Sequence, residues 1–231
     1  MKMRKTNAKS IHTKLGFYLI LIAGMIELYL GLRYMFSDIP SDQRFGIISI
    51  LESMFAFSGL FIPDLLIYKR LRLIPSNDEF KPLDSNVFAR MIIIFITLVL
   101  IQVIFMFVPM TVRTYEKALA VAFAGPSEEA LFRGVLISIF ISMGSNSEKI
   151  TITSKIEISV IEIIGIIISS MLFMLLHVNY SSNPSLLVAV FFSGVALAVF
   201  YWKWRDLTAC ILAHLVLNII NVIQTFYVVI L

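Results

Sequence analysis

Charge is scarce in this chain: Asp, Glu, Lys and Arg make up 15% of its 231 residues, about ten points below the usual share for soluble domains. Hydrophobic residues reach 59% and mean hydropathy is +0.91, so a water-soluble globular class is excluded. There is a single cysteine, Cys210, which has no internal partner for a disulfide and reads as a small buried hydrophobe. No repeat of fixed period and no low-complexity tract is found. Basic residues are not gathered into a nucleic-acid footprint; the net charge of +4 comes from Lys and Arg flanking apolar runs, where they anchor topology and meet lipid headgroups. No small-residue cleavage site follows the first apolar run, so an uncleaved first helix is expected rather than a secretory signal.

What is present is a series of apolar runs of about 20 residues, the length of a membrane-crossing helix; a membrane barrel would show alternating segments of about ten. Seven candidate spans cover approximately residues 16–36, 46–68, 91–110, 118–141, 158–180, 185–202 and 207–230. The expected fold is therefore all-α, a polytopic membrane bundle of about seven helices (six to eight), with residues 1–231 forming a single integral membrane domain. The polar segment 69–90 is its longest connection, a charged loop rather than a linker. Positive charge outside the spans is uneven. The N-terminal arm and even-numbered connections carry 14 Lys and Arg, and the opposite side only Arg33, Arg44, Arg113 and Lys117. By the positive-inside rule this predicts a cytoplasmic N-terminus, in the cell membrane, and with seven spans an outward C-terminus.

Against this background three charges stand out in the fourth run, LAVAFAGPSEEALFRGVLISIFISM: Glu128, Glu129 and Arg133. Each costs roughly 2.5–3.5 kcal/mol at the centre of a membrane helix on insertion scales. Pro126 lacks an amide proton and clashes with the carbonyl four residues earlier, which predicts a kink or restart of the helix and puts the two acids in a first turn. Glu129 and Arg133 are four apart, acid first, the orientation that pairs best on a helix. That pair serves catalysis or simply locks helices together. Glu128, turned about 100° from Glu129, has no local cation and is the candidate general base facing a cavity. Ser127 has no base placed beside it, so a serine nucleophile is not expected.

Two other runs bring imidazoles. His177 closes FMLLH, and alone would read as a hydrogen-bonded residue near a helix end. In the last run His214, Asn218, Asn221 and Thr225 recur at helical spacing and share one face. A polar stripe on a membrane helix turns toward protein or water, the same interior the fourth run must address. Glu27 and Glu52, in the first two spans, line that interior or pair with a base such as Arg33. Asp64, Glu116 and Asp206 read as boundary residues. The span limits set Glu128 near mid-membrane, His177 toward the outer end and His214 toward the inner end, a spread of roughly 10 Å at 1.5 Å per residue that tilt, the proline or shifted boundaries must close.

EEALFR at 128–133, FMLLH at 173–177 and HLVLN at 214–218 resemble, in order and internal spacing, the EExxxR, FxxxH and HxxxN motifs of the CPBP intramembrane proteases. These are relatives of the CAAX prenyl endopeptidase, also called the ABI family. The resemblance covers residues 118–231. It implies an intramembrane endopeptidase in which Glu128 activates water with help from His177, His214 and Asn218 hold the oxyanion, and Glu129 and Arg133 support the site. No serine or cysteine nucleophile is required. The resemblance leans toward a mechanism without metal, and no HExxH helix is present. Two histidines and a carboxylate are nevertheless a common zinc set, so if zinc is used its ligands are His177, His214 and Glu128 or Glu129. The expected partners are the lipid bilayer and a membrane-associated or lipidated peptide or protein, with no nucleic acid. Rival readings are a non-proteolytic membrane regulator or bacteriocin self-immunity protein of the same fold, and a transporter or proton relay, although the two related halves of many transporters are not seen.

Overall fold

The computed structural model describes residues 15–65, 80–105, 114–154, 156–177 and 184–230, with backbone alone for 61–65 and 225–230. Seven helical rods are found among them. They are α1 (Leu15–Met35), α2 (Pro40–Leu65), α3 (Ser85–Ile104), a composite fourth rod, α6 (Val160–Leu176), α7 (Pro184–Trp204) and α8 (Leu207–Ile230). The fourth rod runs from α4 (Tyr115–Glu129) through a π-helical segment (Ala130–Ile137) into α5 (Ser138–Gly144). The all-α bundle is therefore observed, and α1, α3, α7 and residues Leu207–Gln224 of α8 are each long and apolar enough to cross a membrane. Lys2, Arg4, Lys5, Lys9, Lys14, Lys69, Arg70, Arg72, Arg113, Lys155 and the side chains of Asp64 and Thr225, all weighed from the sequence, lie outside the described residues.

The distribution of side chains is that of a protein dissolved in lipid. Ile92, Ile96, Leu100 and Val103 form an exposed stripe on α3, while Ile94 and Leu98 of the same helix are buried. The interior holds Glu27, Glu52, Glu128, Glu129, Arg133 and several serines beside its apolar core. Polar groups inside and apolar groups outside are what hydrocarbon solvent demands, because lipid tails offer no hydrogen bonds.

One expectation is corrected here. The helix runs through Pro126 instead of restarting after it, so Glu128 and Glu129 end an α-helical stretch and do not begin one. The irregularity comes downstream, as the widened turns of the π segment. The connection before α6 carries a small antiparallel hairpin, β1 (Lys149–Thr153) with β2 (Ile156–Ser159), for which the sequence reading made no assignment. Its alternating, β-branched KITIT favours pairing. Ser159 then caps α6 reciprocally with Glu162, which also binds Lys149 at 2.9 Å.

The ends of the bundle are tied by ion pairs. Asp206, at a span boundary as expected, is nonetheless buried: it meets Arg90 at 3.0 Å and accepts from the Ala209 amide at 3.0 Å, capping α8. At the other end Arg33 pairs with Glu116 at 3.4 Å and Lys117 with Asp42 at 2.8 Å. Arg33 is thus engaged by Glu116, and Glu27 and Glu52 face inward instead. Between the ends, α2 crosses the fourth rod where a Cβ on Gly59 would stand 2.5 Å from the Ala130 Cβ. Gly59→Val should therefore cost about 1–3 kcal/mol by overpacking. The expected result is a lower thermal unfolding midpoint in detergent micelles than for wild type.

Candidate active site

The site is assembled by three rods. α4 ends on Glu128 and Glu129, α6 ends at Leu176 with His177 as its cap, and α8 carries His214 and Asn218 on one face. The fifth span was expected to run to residue 180. Its helix stops at 176, and the 10 Å spread of depth is absorbed: His177 Nε2 lies 3.5 Å from Glu128 Oε1 and His214 Nε2 lies 3.6 Å from Glu128 Oε2. One carboxylate therefore stands between two imidazoles from helices distant in the chain.

Behind this group is a buried charge network. Glu129 and Arg133, both with fully buried side chains, meet at 3.1 Å. Arg133 also donates from Nη2 to the Gly194 carbonyl at 3.1 Å, and its guanidinium lies 4.8 Å from the centre of the Phe173 ring. Gly194 is suited to this because a Cβ there would come within 3.2 Å of both Phe173 and the Ser170 backbone, so α7 and α6 approach closely. Along the π segment, Ser169 donates to the Phe132 carbonyl at 3.3 Å and Ser138 to the Arg133 carbonyl at 3.3 Å. Side-chain hydroxyls thus reach two carbonyls of the widened turns, and such turns recur at functional sites.

Hydrogen bonds fix how each ring presents itself. The Phe173 carbonyl can only accept, so His177 donates to it from Nδ1, at 2.8 Å, which leaves Nε2 turned to Glu128. His214 Nδ1 lies 2.9 Å from Glu129 Oε1, and toward that oxygen, which also faces the Arg133 guanidinium, the ring donates. Its Nε2 is likewise turned to Glu128. Asn218 donates from Nδ2 to the Val121 carbonyl at 3.0 Å. Ser127 is fully buried, and its hydroxyl has no hydrogen-bond partner among the described residues. Cys210 is buried in the apolar core.

Glu128, His177 and Asn218 line a cavity of about 160 Å³, whose wall is completed by Glu27, Ser49 and Glu52 together with apolar groups such as Phe45 and Leu176. Glu27 and Glu52 thus lie on the same cavity as Glu128, one of the two placements open to them from the sequence. Asn221 lies half-buried further along α8. Among the described residues, no group of three or more His, Cys, Asp or Glu has the arrangement of a metal site. Sequence reasoning passed over Gly125: a Cβ there would meet His214 Cγ at 3.1 Å and Asn218 Nδ2 at 3.2 Å, so the missing side chain lets α8 approach the acids. The only hint was a glycine directly before Pro126.

These features define a class, a membrane-embedded helical bundle that buries acid, imidazole and amide groups around one cavity. A model of the type II CAAX prenyl endopeptidase Rce1-like family matches residues 92–220, more than half of the chain and all of these motifs, and the chain belongs to that family. At this level it is a CAAX protease-like integral membrane protein. No curated protein and no solved structure matches the chain.

Removing one member of a buried pair leaves a charge uncompensated, at a cost of about 3–5 kcal/mol. Arg133→Met should therefore destabilise the protein severely, and adding Glu129→Gln should restore part of the loss. Thermal unfolding of the single and double variants in micelles measures both.

Proposed function

We propose that the protein is an intramembrane endopeptidase that hydrolyses a peptide bond of a membrane-associated or lipidated substrate. The observation that carries the proposal is the Glu128 carboxylate lying 3.5 and 3.6 Å from the two imidazole Nε2 atoms. Ionised Glu128 and the bare Nε2 of His177 are both acceptors, and a single water donating one hydrogen to each satisfies them. The oxygen of that water attacks the scissile carbonyl carbon as Glu128 takes its proton. The carbonyl π pair becomes an oxyanion, which Asn218 and the doubly protonated ring of His214 stabilise by donation, the positive ring being flanked by Glu129. Collapse of the adduct re-forms the carbonyl and breaks the C–N bond. The proton on Glu128 passes to the leaving amine, giving a carboxylic acid and an amine.

In this scheme Glu129 and Arg133 are positioning residues. Arg133 is paired with Glu129, and Glu129 sets which nitrogen of His214 faces the reacting atoms. The mechanism as written uses water alone. If zinc takes part, His177, His214 and Glu128 or Glu129 are the residues to hold it, and a purified preparation treated with strong chelator separates the two schemes: the water mechanism predicts retained cleavage.

The positive-charge asymmetry supports a cytoplasmic N-terminus in a cell membrane. The cavity lies toward the opposite end of the bundle, lined by residues between 45 and 52 of α2, residues between 120 and 128 of α4 and the end of α6. The substrate class then extends to peptides presented from that leaflet, whether or not they carry a prenyl group.

The proposal predicts that Glu128→Gln loses at least about a thousandfold in kcat, as expected for a general base on which all turnover depends, and that Asn218→Ala loses about a hundredfold, the cost of one oxyanion donor. Cleavage of membrane peptides by folded, reconstituted variants is the measurement. Biological function that survives both Glu128→Ala and His214→Ala would instead favour the non-proteolytic regulator or self-immunity role.

A further inference from the structure

The cavity in front of Glu128 holds more acid than hydrolysis uses. Glu27 of α1 and Glu52 of α2 lie on its wall with Glu128, His177 and Asn218. Glu27 is 1% exposed and Glu52 8%, and Glu27 Oε1 and Glu52 Oε2 have no hydrogen-bond partner among the described residues. Ser49, on the same wall, is hydrogen-bonded to Glu27. Buried acceptors without donors are costly, and a carboxylate in this position calls for a donor or a positive charge.

No Lys or Arg among the described residues answers that need, because none of them lines the cavity. Arg133 is fully buried against Glu129. Lys117, whose Nζ lies 5.4 Å from the ring centre of the cavity residue Phe45, is held by Asp42 at 2.8 Å. Arg33 is paired with Glu116. A metal ion is also a poor occupant, because no group of three acids or imidazoles among the described residues has the geometry to ligate one. A larger cation that spreads several N–H donors suits these acids better, and the apolar neighbours Phe45, Ile48 and Leu176 suit its methylene stem.

We infer that Glu27 and Glu52 form a selectivity subsite for a Lys or Arg side chain of the substrate, seated beside the bond presented to Glu128. The inference rests on the proteolytic reading above and adds the substrate's chemistry to it. Both glutamates precede residues 92–220, the stretch matched by the family model. The subsite is therefore built from a part of the chain separate from the motif-bearing helices, as suits an element that selects substrates while the hydrolytic residues stay fixed.

The test uses the full-length protein in lipid nanodiscs, with Glu128→Gln to prevent turnover, and N-terminally acetylated, membrane-anchored peptides that differ only in Lys or norleucine at one position. The Lys peptide should bind at least about tenfold more tightly, the scale of one charge-assisted hydrogen bond, and the ratio should fall to about one when Glu27→Gln and Glu52→Gln are added. A merely structural role of the two acids moves both affinities together and leaves the ratio intact, which overturns the inference. Equal affinities for the two peptides before those changes are made also overturn it, whether or not the added variants fold. Cleavage by the enzyme with Glu128 intact is read separately: Lys-selective binding without any hydrolysis upholds the subsite and defeats the proteolytic mechanism.

Discussion

The ion pair of Glu129 with Arg133 is the constraint on which the interior of this bundle depends. Two charges fully withdrawn from lipid and water are tolerable only if each is met by its opposite and by well-placed dipoles. Arg133 supplies this through the 3.1 Å contact with Glu129, its bond to the Gly194 carbonyl and its seat on the Phe173 ring. Those three partners come from α4, α7 and α6, so one guanidinium fixes three rods relative to one another. His214, bonded to Glu129, adds α8. The adjoining position in sequence, Glu128, is left with no cation and with two imidazoles, and the division of labour between neighbouring acids follows from that.

Close approach of the rods is what permits so many polar groups to meet without water. Gly59 stands where a side chain would collide with a facing helix, and Gly125 and Gly194 where even a Cβ would be tightly packed against one. In a bilayer, where apolar faces gain little by leaving lipid, such small residues and the hydrogen bonds they allow are the main source of association between helices. The π segment belongs to the same account. It carries Arg133, and its carbonyls are reached by Ser138 and Ser169, so the widened turns are held by side chains rather than left unsatisfied.

Much of this was legible in the sequence because the bilayer imposes simple rules. Apolar runs of about 20 residues marked the helices, and charges inside them marked the interior. The pairing of Glu129 with Arg133 followed from a spacing of four, and the shared face of His214 and Asn218 from the same periodicity. The meeting of Glu128 with both histidines was not legible from span limits, because four residues of error at the end of α6 shift His177 by about a helical turn. Pro126 misled in a different way: a proline signals lost hydrogen bonding but does not say which turn yields, and here the irregularity falls on residues 130–137. The hairpin at 149–159 was overlooked because a short alternating stretch between long apolar runs reads as a connection. Gly125 gave almost no signal, since a glycine's role depends on which helix faces it.

The central claim is that Glu128 borders a water-reachable hollow within the membrane. Cysteine accessibility tests it directly, and the single native thiol makes the background simple: Glu128→Cys in a Cys210→Ala chain, reconstituted in vesicles, with Ile167→Cys on the exposed face of α6 as the lipid-facing control. The account predicts that a small, membrane-impermeant thiol reagent labels position 128 and spares position 167. Labelling of position 128 only by a lipid-dissolved reagent, as for the control, would contradict it.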